Sequence, residues 1–575
     1  MQKLLKYYKP YIPLLLLMLF FLIVQSLSDL FLPDLNADII NNGVLKSDIP
    51  YIWRTGLIML VVTILLAISS ITIGYLSARS SMAFGRDLRT ALFDKVQSMS
   101  QGEMDNIGTP SLITRTTNDV QQVQQGSLMF FRMMISAPIM MVGGIIMAIR
   151  QDAPLSLSIV FILPVMLLLI FFLAKSALPL FKQVQTRTDR LNLVVREKLS
   201  GIRVIRAFVK TAYEEARFQS ANADLTKISL SVHRLMALLM PTLMLIMNIS
   251  SIFIYWFGAK RIDSGEMPLG NMAAFLSYIM LILFSLMMAS MMFVMLPRAF
   301  ASAERIRQVL DVEPSITDVD TTDTAIGDFD RLEFKNVSFK YPGAEEPVLE
   351  NISFSALPGK VTAILGSTGC GKSTLIQLIP RFYDVSSGSI EINGVDIRKL
   401  RLTRLREYIG YVPQRAFLFR GSIAENLRYG KEDATETEMW EALRTSQSED
   451  FIHAMPEGIH APITQGGSNV SGGQRQRLAI ARALVKNPSI YIFDDSFSAL
   501  DYKTDSRLRH ALSEKTITSA VLIVAQRVST VLNADQIIVL EKGQIVGKGT
   551  HTDLMESCEV YREIVYSQVT KEEVG

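Results

Sequence analysis

The sequence predicts a multi-domain chain in which a bundle of six membrane-crossing helices is fused to an α/β phosphate-loop domain. Three observations carry that expectation. Charge and apolarity change abruptly near residue 310; six long apolar runs without charge precede that point; and a strand, a glycine-rich loop ending in Lys-Ser and a helix follow it.

The 575 residues include 58 Lys+Arg, 55 Asp+Glu and 49% hydrophobic residues, and the mean hydropathy is +0.27. That is too apolar for every part to be water-soluble. Residues 1–310 hold 29 Lys+Arg and 18 Asp+Glu, a net of +11, whereas residues 311–575 hold 29 and 37, a net of −8. Disorder, a collagen-like fibre and a small disulfide scaffold are excluded, and a total charge of +3 gives no reason to invoke nucleic acid. The two cysteines, Cys370 and Cys558, have no plausible partner, which fits a reducing cytoplasmic environment.

The apolar runs are Tyr11 to Ser28, Thr55 to Ala78, Met133 to Ile149, Ala153 to Ala174, Leu235 to Ala259 and Met267 to Pro297. Each is long enough, or nearly so, to cross about 30 Å of hydrocarbon at about 1.5 Å per residue. The third is the shortest and is expected to extend back past Arg132. Lys3, Lys6 and Lys9 before the first run also suit a signal peptide, but no small-residue cleavage site follows and five more spans do. With the N-terminus inside, inner segments collect 24 Lys+Arg and outer loops 5, which orients the bundle with both termini in the cytoplasm. The long inner connections, about 79–132 and 175–234, read as helices protruding into the cytoplasm. Met287, Met288, Met291, Met292 and Met295 cluster in the last span. Such polarizable side chains either line a surface that repacks around varied apolar ligands or simply fill interhelical and lipid-facing space. Asp29 and Asp34 beyond the first run either attract cationic cargo or sit at a solvated span end.

A polar stretch from Thr317 to Asp328 marks the boundary, giving a transmembrane domain at 1–310, a linker at 311–330 and a phosphate-loop domain at 331–575. β-rich runs follow at Arg331 to Phe339 and Val361 to Leu365. The second leads into Gly366-Ser367-Thr368-Gly369-Cys370-Gly371-Lys372-Ser373-Thr374 and the helical run Leu375 to Ile379. In that context backbone N–H groups cradle phosphates, Lys372 reaches the β- and γ-phosphates, and the Ser373 hydroxyl ligates Mg²⁺. A second apolar run, Ile490 to Phe493, delivers Asp494 and Asp495 in the arrangement that brings a carboxylate to the same Mg²⁺. Between them, Ser471-Gly472-Gly473-Gln474 opens a helix that Ser471 can cap, with two glycines allowing close approach to an anion.

With these motifs the chain resembles the ATP-binding cassette (ABC) transporter family, in particular bacterial multidrug-type half-transporters with the membrane domain ahead of the cassette. The resemblance covers nearly the whole chain. It implies the type I exporter fold, ATP and Mg²⁺ as cofactors, residence in the cytoplasmic membrane, and ATP-driven efflux of amphiphilic or drug-like compounds. Export of a lipid, peptide or metabolite, or a regulatory role without pumping, are the alternatives. Tyr341 matches the aromatic that stacks on adenine, Gln414 the glutamine that senses Mg²⁺, and Ser498-Ala-Leu-Asp501 the D-loop. Asn106 to Asp119 resembles the first coupling segment, and Glu197 to Phe208, containing Gly201-Ile-Arg-Val-Ile-Arg-Ala-Phe, the run before the second.

Two positions depart from a hydrolysis-competent cassette. The residue after the Mg²⁺ carboxylate, normally a Glu that polarises water, is Asp495, one methylene shorter. The switch position, usually His, is Gln526, which can hydrogen-bond the γ-phosphate but cannot become a cation. The segment Thr464-Gln465-Gly466-Gly467 also lacks the acidic residue often found before the signature. Because the family's cassettes pair head to tail, the defects fall on the site built on this chain's own loop, while the intact signature goes to the partner's. The resemblance therefore implies a heterodimer with a second half-transporter carrying the competent residues.

Overall fold

The computed structural model describes residues 2–318 and 327–568, and the chain divides into two compact units, 1–96 with 110–311, and 97–109 with 312 onward.

Among the described residues, six helices of the first unit are long and apolar enough to cross a membrane. Helices Ile49–Gln97, Ala153–Ser200 and Thr211–Asp263 have 49, 48 and 53 residues. At about 1.5 Å per residue they run roughly 70–80 Å, more than twice the hydrocarbon thickness. The long connections are therefore largely helical continuations of the spans, as their sequence suggested. The third span does extend back past Arg132, within a helical stretch from Thr109 to Gln151 that includes π-turns at Arg115–Asp119 and Phe130–Met134.

The short turn between the third and fourth helices is built by Asp152. Its Oδ1 accepts the Leu155 N–H at 2.7 Å, capping the fourth helix, and its Oδ2 accepts the Arg261 Nε–H at 3.0 Å from the end of the fifth. Buried Asp119 forms a two-bond ion pair with Arg305 of the last helix, Leu269–Leu310. The apolar core is centred on the last helix, where Phe275, Tyr278 and Ile282 are buried and Tyr278 donates to the Leu30 carbonyl at 2.8 Å. The first helix runs on from Ile12 to Asp38, past the predicted end at Ser28. Asp29 and Asp34 thus lie inside a helix, not at its solvated end, and Asp34 accepts the Gln151 side-chain amide at 2.6 Å. Met287 and Met288 are half-buried; the side chains of Met291, Met292 and Met295 lie outside the described residues.

In the second unit the predicted β-runs are strands Leu332–Phe339 and Val361–Gly366. One antiparallel sheet pairs 349–356, 332–339, 387–392 and 395–396 in that order; a six-stranded sheet runs 544–549, 536–541, 361–366, 520–524, 490–494, 409–412. The five strands from 536–541 to 409–412 are parallel, and only the edge strand 544–549 is antiparallel. Their side chains are nearly all buried on both faces, which explains the unbroken apolar runs that carried no alternation. The polar stretch Thr317 to Asp328 falls largely outside the described residues.

Candidate functional site

The order of the parallel strands assembles the site. Strand Ala520–Val524 lies between the strand leading into the phosphate loop and the strand ending in Asp494, with Val524 in register with both Ile364 and Asp494. The carboxyl ends of three strands therefore meet, which is where parallel α/β sheets bind ligands. The phosphate loop, the two aspartates and Gln526 are brought to one edge.

In the loop, Gly369 has φ +86° and Gly371 φ +101°, in the left-handed region that glycine adopts without strain. Ser367, Thr368 and Gly369 are exposed, whereas the Cys370 thiol is buried in the core, where its sulfur accepts from Lys372 Nζ at 3.8 Å. Lys372 Nζ folds back on the loop and donates to the carbonyls of Gly366 at 2.8 Å and Ser367 at 2.7 Å. Ser373 Oγ donates to Asp494 Oδ1 at 3.1 Å. The Gln414 amide donates to Asp495 Oδ2 at 3.2 Å, which leaves its oxygen for another partner. Ser373 and Asp494 thus bring two oxygens together, of the hard kind that suits Mg²⁺.

Burial pushes the Asp494 carboxyl above the usual range, helped by the neighbouring Asp495 charge and opposed by Ser373 and Lys372. Burial likewise raises Asp495, against its bonds to Gln414 and Ser498. Two carboxylates whose charged forms are disfavoured are poised to gain from a cation. Asp495 has φ +46°, a conformation Asp tolerates better than most residues. Gln526 is exposed beyond the end of its strand.

Tyr341 stands at the loop's other flank. Its hydroxyl is 3.0 Å from Thr374 Oγ1, and its ring meets Phe339 and Tyr383 edge-on, with centroids 4.8 and 5.3 Å apart. The sequence reading missed Tyr383, which donates to Asp105 Oδ2 at 2.9 Å in the short helix Gln101–Ile107. Glu103 ties the same helix down by accepting the Ser315 N–H at 3.1 Å, and Gly108, at φ +81°, ends it. The segment that packs with the second unit is therefore 97–109, ahead of most of the stretch Asn106 to Asp119. A run of aromatic and charged residues, Arg381-Phe-Tyr-Asp384, was the available signal. The second stretch folds as a turn at Gly201 and an exposed short helix, Ile202–Ala207, in the first unit.

Ser471 caps the helix Gly472–Lys486: its hydroxyl accepts the Gln474 N–H at 3.2 Å, and Gln474 Oε1 accepts the Ser471 N–H at 2.9 Å. A Cβ on Gly473 would lie 3.3 Å from the Ala499 carbonyl, but one on Gly472 would meet nothing within 4 Å. Nothing in this chain's own packing requires glycine at 472. Asp501 caps the helix Tyr502–Lys515 by accepting the Thr504 N–H at 3.0 Å, which holds its carboxyl low. In the segment lacking the acid, Thr464 and Asn469 bond to one another.

Residues 15–287 match the family of ABC transporter transmembrane regions, and residues 349–498 the ABC transporter family. The chain is 43% identical to an uncharacterized ABC transporter ATP-binding protein of Mycobacterium tuberculosis, over 99% of this chain and 98% of that protein. It is 38% identical to one of Bacillus subtilis, over 100% and 99%, and 33% identical to an ATP-dependent lipid A-core flippase of Pseudomonas fluorescens, over 96% and 94%. Its fold is similar to that of a bacterial Atm1-family ABC exporter with ATP bound, with a TM-score of 0.76 over 98% of this chain and 99% of that one, at 22% identity.

Proposed function

The chain belongs to the ABC transporter family, as a bacterial exporter half-transporter with membrane and cassette regions fused, and from that premise we propose that it exports amphiphilic, drug-like compounds as one half of a heterodimer. ATP-driven export by a multi-pass membrane protein, and dimerisation of half-transporters, come with the family. The finer reading rests on one observation, the pair Asp495 and Gln526 at the positions that act on water and on developing charge.

In this reading Tyr341 faces adenine and the backbone of Gly366 to Thr374 surrounds the phosphates. Lys372 exchanges the Gly366 and Ser367 carbonyls for phosphate oxygens. Ser373, Asp494 and Gln414 would hold Mg²⁺, which would supply positive charge to neutralise the phosphates. Asp495 directs water from one methylene too far back, and Gln526 hydrogen-bonds the γ-phosphate without adding charge. Binding is thus complete while turnover is slow, so nucleotide stays longer on this chain's loop than on the partner's. Ser471, Gly472, Gly473 and Gln474 serve the partner's nucleotide, and the open space at Gly472 supports that assignment. Asp501 sets the helix beside it. In this reading the helix Gln101–Ile107, tied to the cassette by the Asp105–Tyr383 bond, serves as the coupling segment. The 24 inner against 5 outer Lys+Arg support termini in the cytoplasm. A second reading, lipid export, is favoured by the relative named as a lipid A-core flippase.

The test is purification of the tagged chain from its native host, followed by transport into inside-out vesicles. A second, different half-transporter is expected at equal stoichiometry. The chain alone should hydrolyse ATP at least about tenfold more slowly, about 1.4 kcal/mol of barrier. Vesicles should accumulate an amphiphilic dye only with ATP, and a lipid-export outcome would instead show labelled lipid moving without dye. Robust hydrolysis by a verified homodimer overturns the heterodimer reading.

A further inference from the structure

The last described residue, Gln568, grips the loop that carries Gln526. Its Nε2 donates to the Gln526 carbonyl at 2.7 Å, and its Oε1 accepts the Val528 N–H at 2.8 Å. One side-chain amide thereby pairs with the two peptide groups on either side of Arg527, as a neighbouring strand would. The loop is held from below as well, since Ala525 donates to the Ile364 carbonyl at 3.2 Å. Beyond Ala525 the backbone leaves the sheet, and the partners of Gln526 C=O and Val528 N–H come from the side chain of Gln568.

Gln568 is placed by a rigid support. It ends the helix Glu559–Gln568, whose Tyr561 and Val565 are buried in the cassette core, and Tyr561 is bonded to His551 Nδ1 at 2.7 Å. Residues 561, 565 and 568 share one helical face by their spacing. Other side chains cannot do the same work: carboxylate only accepts, Lys only donates, and Asn is one methylene shorter.

We propose that Gln568 is a positioning residue for the switch loop: it fixes the peptide groups around Arg527 and hence the direction in which the Gln526 side chain leaves the backbone toward the γ-phosphate. This rests on the reading of Gln526 given above. The C-terminal helix thereby becomes part of the nucleotide site, although no phosphate-binding motif extends to it.

The experiment uses the full transporter in lipid nanodiscs, with whatever partner co-purifies. Photolabelling with radioactive 8-azido-ATP and 8-azido-ADP, followed by gel separation, reads retention on this chain's own loop whether the partner is a copy or a different chain. The parent should retain the triphosphate longer than the diphosphate. Gln568→Ala should lower that ratio at least fivefold, and adding Gln568→Ala to Gln526→Ala should change it less than twofold further, because both act on one contact. Gln568→Glu, nearly isosteric, should lower the ratio as Gln568→Ala does, because a carboxylate with the ordinary pKa of about 4.3 stays ionised at neutral pH and cannot donate to the Gln526 carbonyl. That variant keeps the test informative if Gln568→Ala melts early. A Gln568→Ala or Gln568→Glu ratio within twofold of the parent in a normally melting protein, or multiplicative effects in the double variant, overturns the proposal. Fast hydrolysis at this chain's site would contradict only the slow-site reading, and the retention ratio would still report on Gln568.

Discussion

In the reading proposed above, replacing the two departures, Asp495→Glu with Gln526→His, should speed hydrolysis at this chain's own site. One added methylene moves the carboxylate outward by about one C–C bond, roughly 1.5 Å. Misplacing a reacting group by about 1 Å can cost about 100-fold, which caps the gain at roughly 2.7 kcal/mol. Part of that is lost. Asp495 sits at φ +46°, and its side chain is held by Gln414 at 3.2 Å, a bond the longer carboxylate must re-form from a new position. Asp is at home in the left-handed region and Glu less so, at a cost of order 1 kcal/mol. A net gain of about tenfold in phosphate release is therefore expected from the double substitution. Asp495→Glu alone should capture less, since Gln526 still supplies no positive charge. The assay is steady-state phosphate release by the purified chain in nanodiscs, with Lys372→Ala subtracted as background. A double variant within twofold of the parent would refute the reasoning, because shortened reach and missing charge would then not be what limits this site.

Gly472→Asp should abolish most transport while leaving the melting temperature within about 2 °C, since a side chain there meets nothing in its own chain; a large drop in melting would show that 472 is a packing position instead. Tyr383→Phe removes the bond to Asp105, worth about 1 kcal/mol, and should lower dye transported per ATP consumed more than hydrolysis itself; equal losses in both would count against Tyr383 as a coupling contact. For Asp494 the folded-state pKa is raised, so the folded protein binds more protons than the unfolded chain between the ordinary carboxylate range and the raised value, and stability falls as pH rises through that window. Asp494→Asn should therefore raise the melting temperature of the nucleotide-free protein at neutral pH and remove the further rise on adding Mg²⁺ with ATP; scan-rate-matched thermal unfolding checks both.

Much of this protein is written in one dimension. Apolar length and charge placement define the six spans because a helix satisfies its own backbone inside lipid, with no need of a distant partner. The phosphate loop and the paired aspartates are equally legible, since their chemistry depends on neighbours a few residues away. Span ends were less so: the first helix runs past Ser28 to Asp38, carrying Asp34 with it, because Gln151 receives a carboxylate that hydropathy alone would leave in solvent.

What tertiary structure decided is which local features meet. Ser373 and Asp494 are 121 residues apart, and their adjacency, with Gln526 beside them, follows from strand 520–524 inserting between the two strands that bear them. Tyr383 and Asp105 are separated by 278 residues and belong to no phosphate motif. Gln568 reads as an ordinary polar residue at a helix end until its amide is found against the peptide groups of 526 and 528. Residue type and local period specify what a segment can offer, but strand order and long-range hydrogen bonding choose its partner, because many pairings satisfy the same local pattern and only the packed core selects among them.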